Sequence, residues 1–213
     1  MKSEKYVSAA QINFENSSWD IYHLFDIHDE LISNAHALQK KEKADVLVRT
    51  DVLVRSTYLF ITACWESYIE DLCEEALSRL LSKTIKGRKW IKRVLKQHIK
   101  ELIQDFNTPK SSNINKLYLA VIGLADLSNS WKWDGMTAQQ SQAKLGTYIK
   151  IRGAIAHRTR TSESISRKKS EEYLDFVRIL VNKTESHVQH YVKRLTGTNF
   201  GKDIKRLTKI NRR

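Results

Sequence analysis

The segment Tyr173-Leu-Asp-Phe-Val-Arg-Ile-Leu-Val-Asn-Lys-Thr-Glu-Ser-His-Val-Gln-His-Tyr-Val192 sets apolar side chains at Tyr173, Leu174, Val177, Leu180, Val181, Val188 and Val192. Steps of three and four keep those positions on one face of a 3.6-residue helix, whereas a strand would alternate them between two faces. Ser166 or Ser170 stands ahead of the run as an N-cap, so the pattern predicts a capped amphipathic helix that ends near Leu195.

The same period recurs upstream. Ile21, Leu24, Phe25, Leu31, Ile32, Ala35 and Leu38 predict a first helix, capped by Ser17 or Ser18 and closed by Gln39-Lys40-Lys41, whose lysines suit the negative helix end. A longer second helix is expected over residues 43–83, with Trp65 and Tyr68 in the core. It contains a duplicated hexapeptide, Asp45-Val-Leu-Val-Arg-Thr50 followed by Asp51-Val-Leu-Val-Arg-Ser56. A six-residue shift turns a helix by about 600°, so the two units face about 120° apart, and no longer repeat accompanies them. They read as coincidence or a local duplication.

A third helix is expected over residues 83–100, burying Trp90, Ile91, Val94, Leu95 and Ile99. It brings together Lys83, Lys86, Arg88, Lys89, Lys92, Arg93, Lys96 and Lys100 without one acidic residue. Pro109 and Ser111-Ser112-Asn113 then break the chain. A short helix near 114–124, a loop near 126–136 and a fifth helix near 137–157 complete the series.

Seven glycines and one proline in 213 residues are under 4%, where ordinary usage of the pair is about 12%. Collagen, Gly/Pro-rich disorder and most sandwiches or barrels, which need turn residues at every hairpin, are thereby excluded. What remains is an all-α fold, one helical domain over residues 1–196 followed by a basic tail over 197–213. A chain of this length buries roughly 70% of its unfolded surface, enough for a core without staples.

The formal net charge is +13, and the sequence pI is near 9.7. Such an excess attracts polyanions, with nucleic acid first and anionic membrane or an acidic protein behind. Cys64 and Cys73 are nine residues apart on a helix and point about 180° from each other, so they do not pair, and a reducing cytoplasm fits. The longest apolar run, Leu117-Tyr-Leu-Ala-Val-Ile-Gly-Leu-Ala125, is far shorter than the roughly 20 residues of a spanning helix. No membrane association and no signal peptide are expected.

The metal-ligand search is weak. His187 and His190 share a helix face, and His23 and His28 lie in the first helix, yet neither pair has the Glu or Cys partners a zinc site needs nearby. Glu66, Glu70, Asp71, Glu74 and Glu75 form an acidic face that reads as solvated or paired with nearby cations before it reads as a Mg²⁺ site. No phosphate loop, dinucleotide loop or nucleophile elbow occurs, so neither cofactor nor metal is expected.

The segment Ile149-Lys-Ile-Arg-Gly-Ala-Ile-Ala-His-Arg158 stands apart. It places Arg152 and His157, four residues between them, at a helix end among small and apolar residues. On a straight helix these two side chains lie about 140° apart and about 7.5 Å along the axis, so they meet one ligand only if Arg152 reaches back or the helix distorts at Gly153. The bland alternative is a close helix-packing face at residues 153–156, with Arg152 in an ion pair and His157 capping the helix end. Trp131 and Trp133, flanking Lys132, are open to two readings as well: stacking platforms for single-stranded RNA, or core anchors.

Three stretches together carry a resemblance: Arg152 to His157, Ala63-Cys-Trp-Glu-Ser-Tyr-Ile-Glu-Asp-Leu72, and Asn107-Thr-Pro-Lys-Ser-Ser-Asn-Ile-Asn-Lys116. Over about residues 45–195 the chain resembles the HEPN superfamily, in its RiboL-PSP-type branch. That resemblance implies a HEPN-like bundle of long antiparallel helices and a homodimer in which two Arg-x4-His elements face each other across a cleft. It also implies metal-independent endoribonuclease activity of the kind used by toxins and phage-defence effectors, under a possible antitoxin or regulatory protein. Arg152 and His157 become the catalytic pair. Where active members commonly carry Asn, Asp or His after the arginine, this chain has Gly153.

Metal-free RNA cleavage needs a base for the 2′-hydroxyl, an acid for the leaving 5′-oxygen and a cation for the charged phosphorane. Two copies of His157 and Arg152 supply that set. Lys89, Lys92, Arg93 and Lys96 on the third helix, with Arg158, are the candidate RNA contacts. The rival reading is a catalytically inactive HEPN module that binds RNA or a protein partner. A DNA-binding regulator would need a helix-turn-helix, and no clear one is present.

Overall fold

The computed structural model of the chain describes residues 6–84, 89–158 and 165–203. Its axis is α2 (Lys40–Thr84), one continuous helix of 45 residues and about 67 Å. No glycine or proline interrupts this stretch, and its later turns bury Tyr58, Ile61, Trp65, Tyr68, Ile69, Leu72, Cys73 and Ala76 almost completely. So broad an apolar face needs more than one neighbour, and four helices supply them.

Helix α1 (Ala9–Asn34) returns antiparallel to α2 through a 3-10 turn at Ala35–Ala37. It starts a full two turns before the expected Ser17 or Ser18. The N-cap is Ser8, whose hydroxyl accepts from the Gln11 amide at 2.9 Å. Ala10 and Phe14 continue the apolar period upstream, and Ser18 falls on the same buried stripe, its hydroxyl donating to the Phe14 carbonyl at 2.8 Å. The Ala9 and Ala10 amides donate to Glu75 on α2, so part of the acidic face caps α1.

Helix α3 (Lys89–Gln104) corrects the expectation for the basic segment. Lys83 closes α2, Lys86 and Arg88 lie outside the described residues, and five of the cations remain on α3. The apolar residues assigned to the core are largely uncovered: Trp90 is 69% exposed and Val94 59%, with Leu95 also exposed and Ile91 and Ile99 half-buried. The helix is amphipathic, but it reaches the core only near its C-terminal end, where Ile103 is buried and Ile99 packs against the cluster. Its neighbours are α2 and α4.

Pro109 ends this excursion, and its carbonyl accepts the Trp65 indole N–H at 3.1 Å. Helix α4 (Ser111–Ile122) stops at Gly123 in the left-handed region, φ 74°. The following loop holds a 3-10 turn, Leu127–Ser130, and inserts Trp131, whose indole donates to Thr184 Oγ1 at 2.9 Å. Trp131 is fully buried and Trp133 packs against Phe176, so both serve the interior.

Helix α5 (Ala138–Arg158) leads to α6 (Arg167–Thr196), which Ser166 caps and Gly197 closes. Every apolar position read from 173–192 is buried. Helix α6 runs in the same direction as α2: Tyr173 meets Thr62 at 3.1 Å, Tyr68 donates to the Val181 carbonyl at 3.0 Å, and Arg79 donates to the Asn199 carbonyl at 2.9 Å. The chain beyond Gly197 still packs on the bundle, burying Phe200 and pairing β2 (Lys202–Asp203) with β1 (Tyr6–Val7) in a two-residue antiparallel ladder.

One buried carboxylate ties three segments together. Glu185 on α6 accepts from the Ser8 amide at 2.9 Å, the Ser8 hydroxyl at 2.7 Å and the Tyr68 hydroxyl at 3.3 Å; Gln189, one turn on, donates to it at 3.0 Å. Removing the acceptor leaves buried donors without a partner, which costs more than the bond itself contributes. Glu185→Ala is therefore expected to lower unfolding stability by roughly 2–4 kcal/mol in a urea titration, while Glu185→Gln, which keeps one acceptor oxygen, loses less.

Candidate functional site

Helix α5 buries Leu145, Tyr148, Ile151 and Ile155 at steps of three, three and four. Tyr148 belongs to a tyrosine cluster that joins three helices. Its ring stacks on Tyr173 of α6 with centroids 4.2 Å apart, and Tyr58 of α2 lies 4.8 Å from Tyr173. The Tyr58 hydroxyl donates to the Tyr148 carbonyl at 3.4 Å, and the Tyr173 and Thr62 hydroxyls bond at 3.1 Å. These rings fix the height and rotation of the last turns of α5.

Arg152 follows Tyr148 by one turn and is half-buried. Its charge reaches two groups. Burial raises the Glu66 carboxyl above its ordinary range, and Arg152 pulls it back. Burial likewise raises the Tyr173 hydroxyl, opposed by its bond to Thr62 and by Arg152. Arg152 nevertheless forms no salt bridge with a described residue, so the ion pair of the bland reading is not present there. One turn along α2 from Glu66, the Glu70 carboxyl is pushed up to about 7, by burial first and then by the charges of Glu66 and Asp71. The Glu70 carboxyl is thus only partly ionised near neutral pH.

His157 is exposed on the last turn of α5. Gly153 is helical and sits outside the left-handed region, so α5 stays regular across the motif and the distortion that would make Arg152 and His157 converge is absent. Helix geometry keeps them about 140° apart. Arg152 points toward the α2–α6 seam and His157 toward solvent. A Cβ at position 153 would meet nothing within 4 Å, so the helix surface beside His157 is open.

The candidate RNA contacts sit elsewhere. Lys89, Arg93 and Lys96 are exposed on α3 and Lys92 is half-buried. Arg158 ends α5, and its side chain lies outside the described residues. Sequence reading did not connect Glu66, Tyr58 and Tyr148 to this site. The available signal was spacing: Tyr58, Thr62 and Glu66 recur every four residues on α2, as do Tyr148 and Arg152 on α5.

No described helix is long and apolar enough to cross a membrane. No curated protein and no solved structure matches the chain. The RiboL-PSP-HEPN family model matches residues 15–190, from the second turn of α1 into the last turns of α6, and therefore spans α2, α5 and the Arg152 to His157 element. On that match the chain belongs to the RiboL-PSP-HEPN family, whose domain points to nuclease or other RNA-related work.

Proposed function

We propose that the protein is a metal-independent endoribonuclease acting as a homodimer, in the manner of a toxin or phage-defence effector. The observation that carries this reading is the split presentation of two polar residues on one regular helix. Arg152 forms no salt bridge among the described residues and lies beside Glu66 and Tyr173, while His157 stands in solvent beside an open glycine. One chain offers a single imidazole, and one imidazole cannot be base and acid in the same step. Two chains related by a two-fold axis offer a pair.

In that dimer a neutral His157 takes the 2′-hydroxyl proton as O2′ attacks phosphorus. The protonated His157 of the second chain gives its proton to O5′ as the P–O5′ bond breaks. Arg152 from either chain stabilises the phosphorane oxygens. The products are a 2′,3′-cyclic phosphate and a 5′-hydroxyl, and protons balance without an external reagent. Lys89, Lys92, Arg93, Lys96 and Arg158 supply phosphate contacts that hold RNA without reading its bases.

The test is cleavage of a mixed-sequence RNA in EDTA. His157→Ala and Arg152→Ala are expected to lose cleavage by orders of magnitude with an unchanged helical circular dichroism signal; wild-type rates in either variant would refute the assignment. Because each site needs both imidazoles, equal mixing of exchanged wild-type and His157→Ala chains should leave about one quarter of the activity, where simple dilution leaves one half.

Binding separates from cutting on α3. Changing Lys89, Lys92, Arg93 and Lys96 to Gln in a His157→Ala background should weaken binding to all RNA sequences about equally. The slope of log affinity against log salt should become shallower. An unchanged affinity and slope would show that α3 meets something other than RNA.

A further inference from the structure

Of the five tryptophans, Trp90 on the first turn of α3 is the most exposed, at 69%. Trp65 and Trp131 are buried, Trp133 packs on Phe176, and Trp19, the other exposed indole, leans on Tyr22 with ring centroids 6.1 Å apart. Among the described residues no ring packs on the Trp90 indole and no cation lies over it. A large apolar ring thus stands in water without an aromatic or cationic partner there.

The cations of α3 stand next to this ring. Taking 100° per residue, Lys92, Lys96, Lys89, Lys100 and Arg93 fall within an arc of about 100°, and Trp90 lies about 60° beyond Arg93. None of the five forms an ion pair with a described residue; the one acidic residue of α3, Glu101, meets His98 at 3.8 Å and Gln97 at 3.5 Å. Helical side chains lean toward the N-terminus, so Arg93 and Val94, three and four residues on, lean toward the indole. From there a groove of about 410 Å³ follows the helix, lined by Arg93, Val94, Gln97, His98 and Glu101. Its lining is polar except for Val94, and Leu95 and Leu102 lie about 80° or more further round the helix. The apolar surface at this spot is therefore one ring and one valine, too small and too interrupted for lipid or for the apolar face of another helix. An unpaired nucleobase offers what fits: a flat π-face with phosphates close on either side, matching an indole beside a row of cations. Trp19 has no such setting, because α1 carries neither lysine nor arginine.

We propose that Trp90 is a stacking site for an unpaired base of RNA, with Arg93 and the lysines of the same helix holding the flanking phosphates. Stacking is indifferent to which base is bound, so the site sorts single strands from duplexes and not one sequence from another. A paired base keeps its faces within the duplex stack and does not reach the indole. The proposal rests on the RNA-directed reading above, but on binding alone and not on cleavage.

The test is the affinity of the full-length His157→Ala chain, chosen to keep the RNA intact, for a labelled single-stranded RNA and for a duplex of equal length. Adding Trp90→Ala is expected to weaken single-strand binding by about tenfold, through loss of one stacked base, and to leave duplex binding near that of its parent. Trp90→Phe keeps most of the single-strand affinity, whereas Trp90→Leu, apolar but without a π-face, does not. The slope of log affinity against log salt stays the same in all three, since no phosphate contact is removed. The proposal is overturned if Trp90→Ala binds single strands as its parent does, if duplex binding falls equally, or if Trp90→Leu binds as well as Trp90→Phe. Trp90-dependent capture by vesicles containing phosphatidylserine, with single-strand binding unchanged, overturns it in favour of a lipid surface. A Trp90 effect on binding in a protein whose wild-type chain leaves RNA uncut keeps the base site and removes the ribonuclease. Cleavage by the wild-type chain with no Trp90 effect on binding does the reverse.

Discussion

Every other helix of the bundle takes its place from α2. A 45-residue helix without a breaker cannot bury its broad apolar face alone, so α1 covers one side, α6 another, and α4 and α5 fill the gap between. The polar bonds that orient these partners are also made to α2. Tyr68 joins the Glu185 cluster that locks the start of α1, Tyr118 donates to the Ile69 carbonyl at 3.0 Å, and Tyr58 reaches the Tyr148 carbonyl of α5. Buried hydroxyls of this kind contribute little net energy each, but a misplaced one is costly, so they select a single arrangement of helices that apolar packing alone would leave degenerate.

The consequence for the site is geometric. Because the tyrosine cluster holds α5 regular to its end, Arg152 and His157 remain on different sides of the helix. Arg152 sits in the seam where burial strengthens its effect on Glu66 and Tyr173, and His157 stays with solvent. The helix surface beside Gly153 stays open, since a Cβ there would meet nothing within 4 Å.

The helical plan was legible in the sequence wherever the period-three-and-four pattern was strong and a cap was unambiguous. Helix α6 begins at Ser166 and buries every apolar residue of the 173–192 pattern. The start of α1 was misplaced because Ser17 and Ser18 resemble caps locally, and only the continuation through Phe14 and Ala10 shows that the helix has already begun. Trp90 and Val94 were assigned to the core on amphipathicity, which says that a helix has an apolar face and not that anything covers it. At the candidate site, spacing singles out Arg152 and His157 but does not show what surrounds Arg152. Glu66 and Tyr173 reach Arg152 from two other helices, and Glu185 reaches Ser8 across 177 residues of sequence. Such neighbours are fixed by tertiary packing, which single-helix spacing does not encode.

If RNA itself supplies the nucleophile to a two-imidazole site, the ends of the products report it directly. Mixed-sequence RNA digested by the wild-type chain in EDTA should yield fragments bearing 2′,3′-cyclic phosphates and 5′-hydroxyls, with the Arg152→Ala chain prepared identically as the contamination control. Fragments ending in 3′-hydroxyls and 5′-phosphates would show attack by water from outside the RNA and contradict the account.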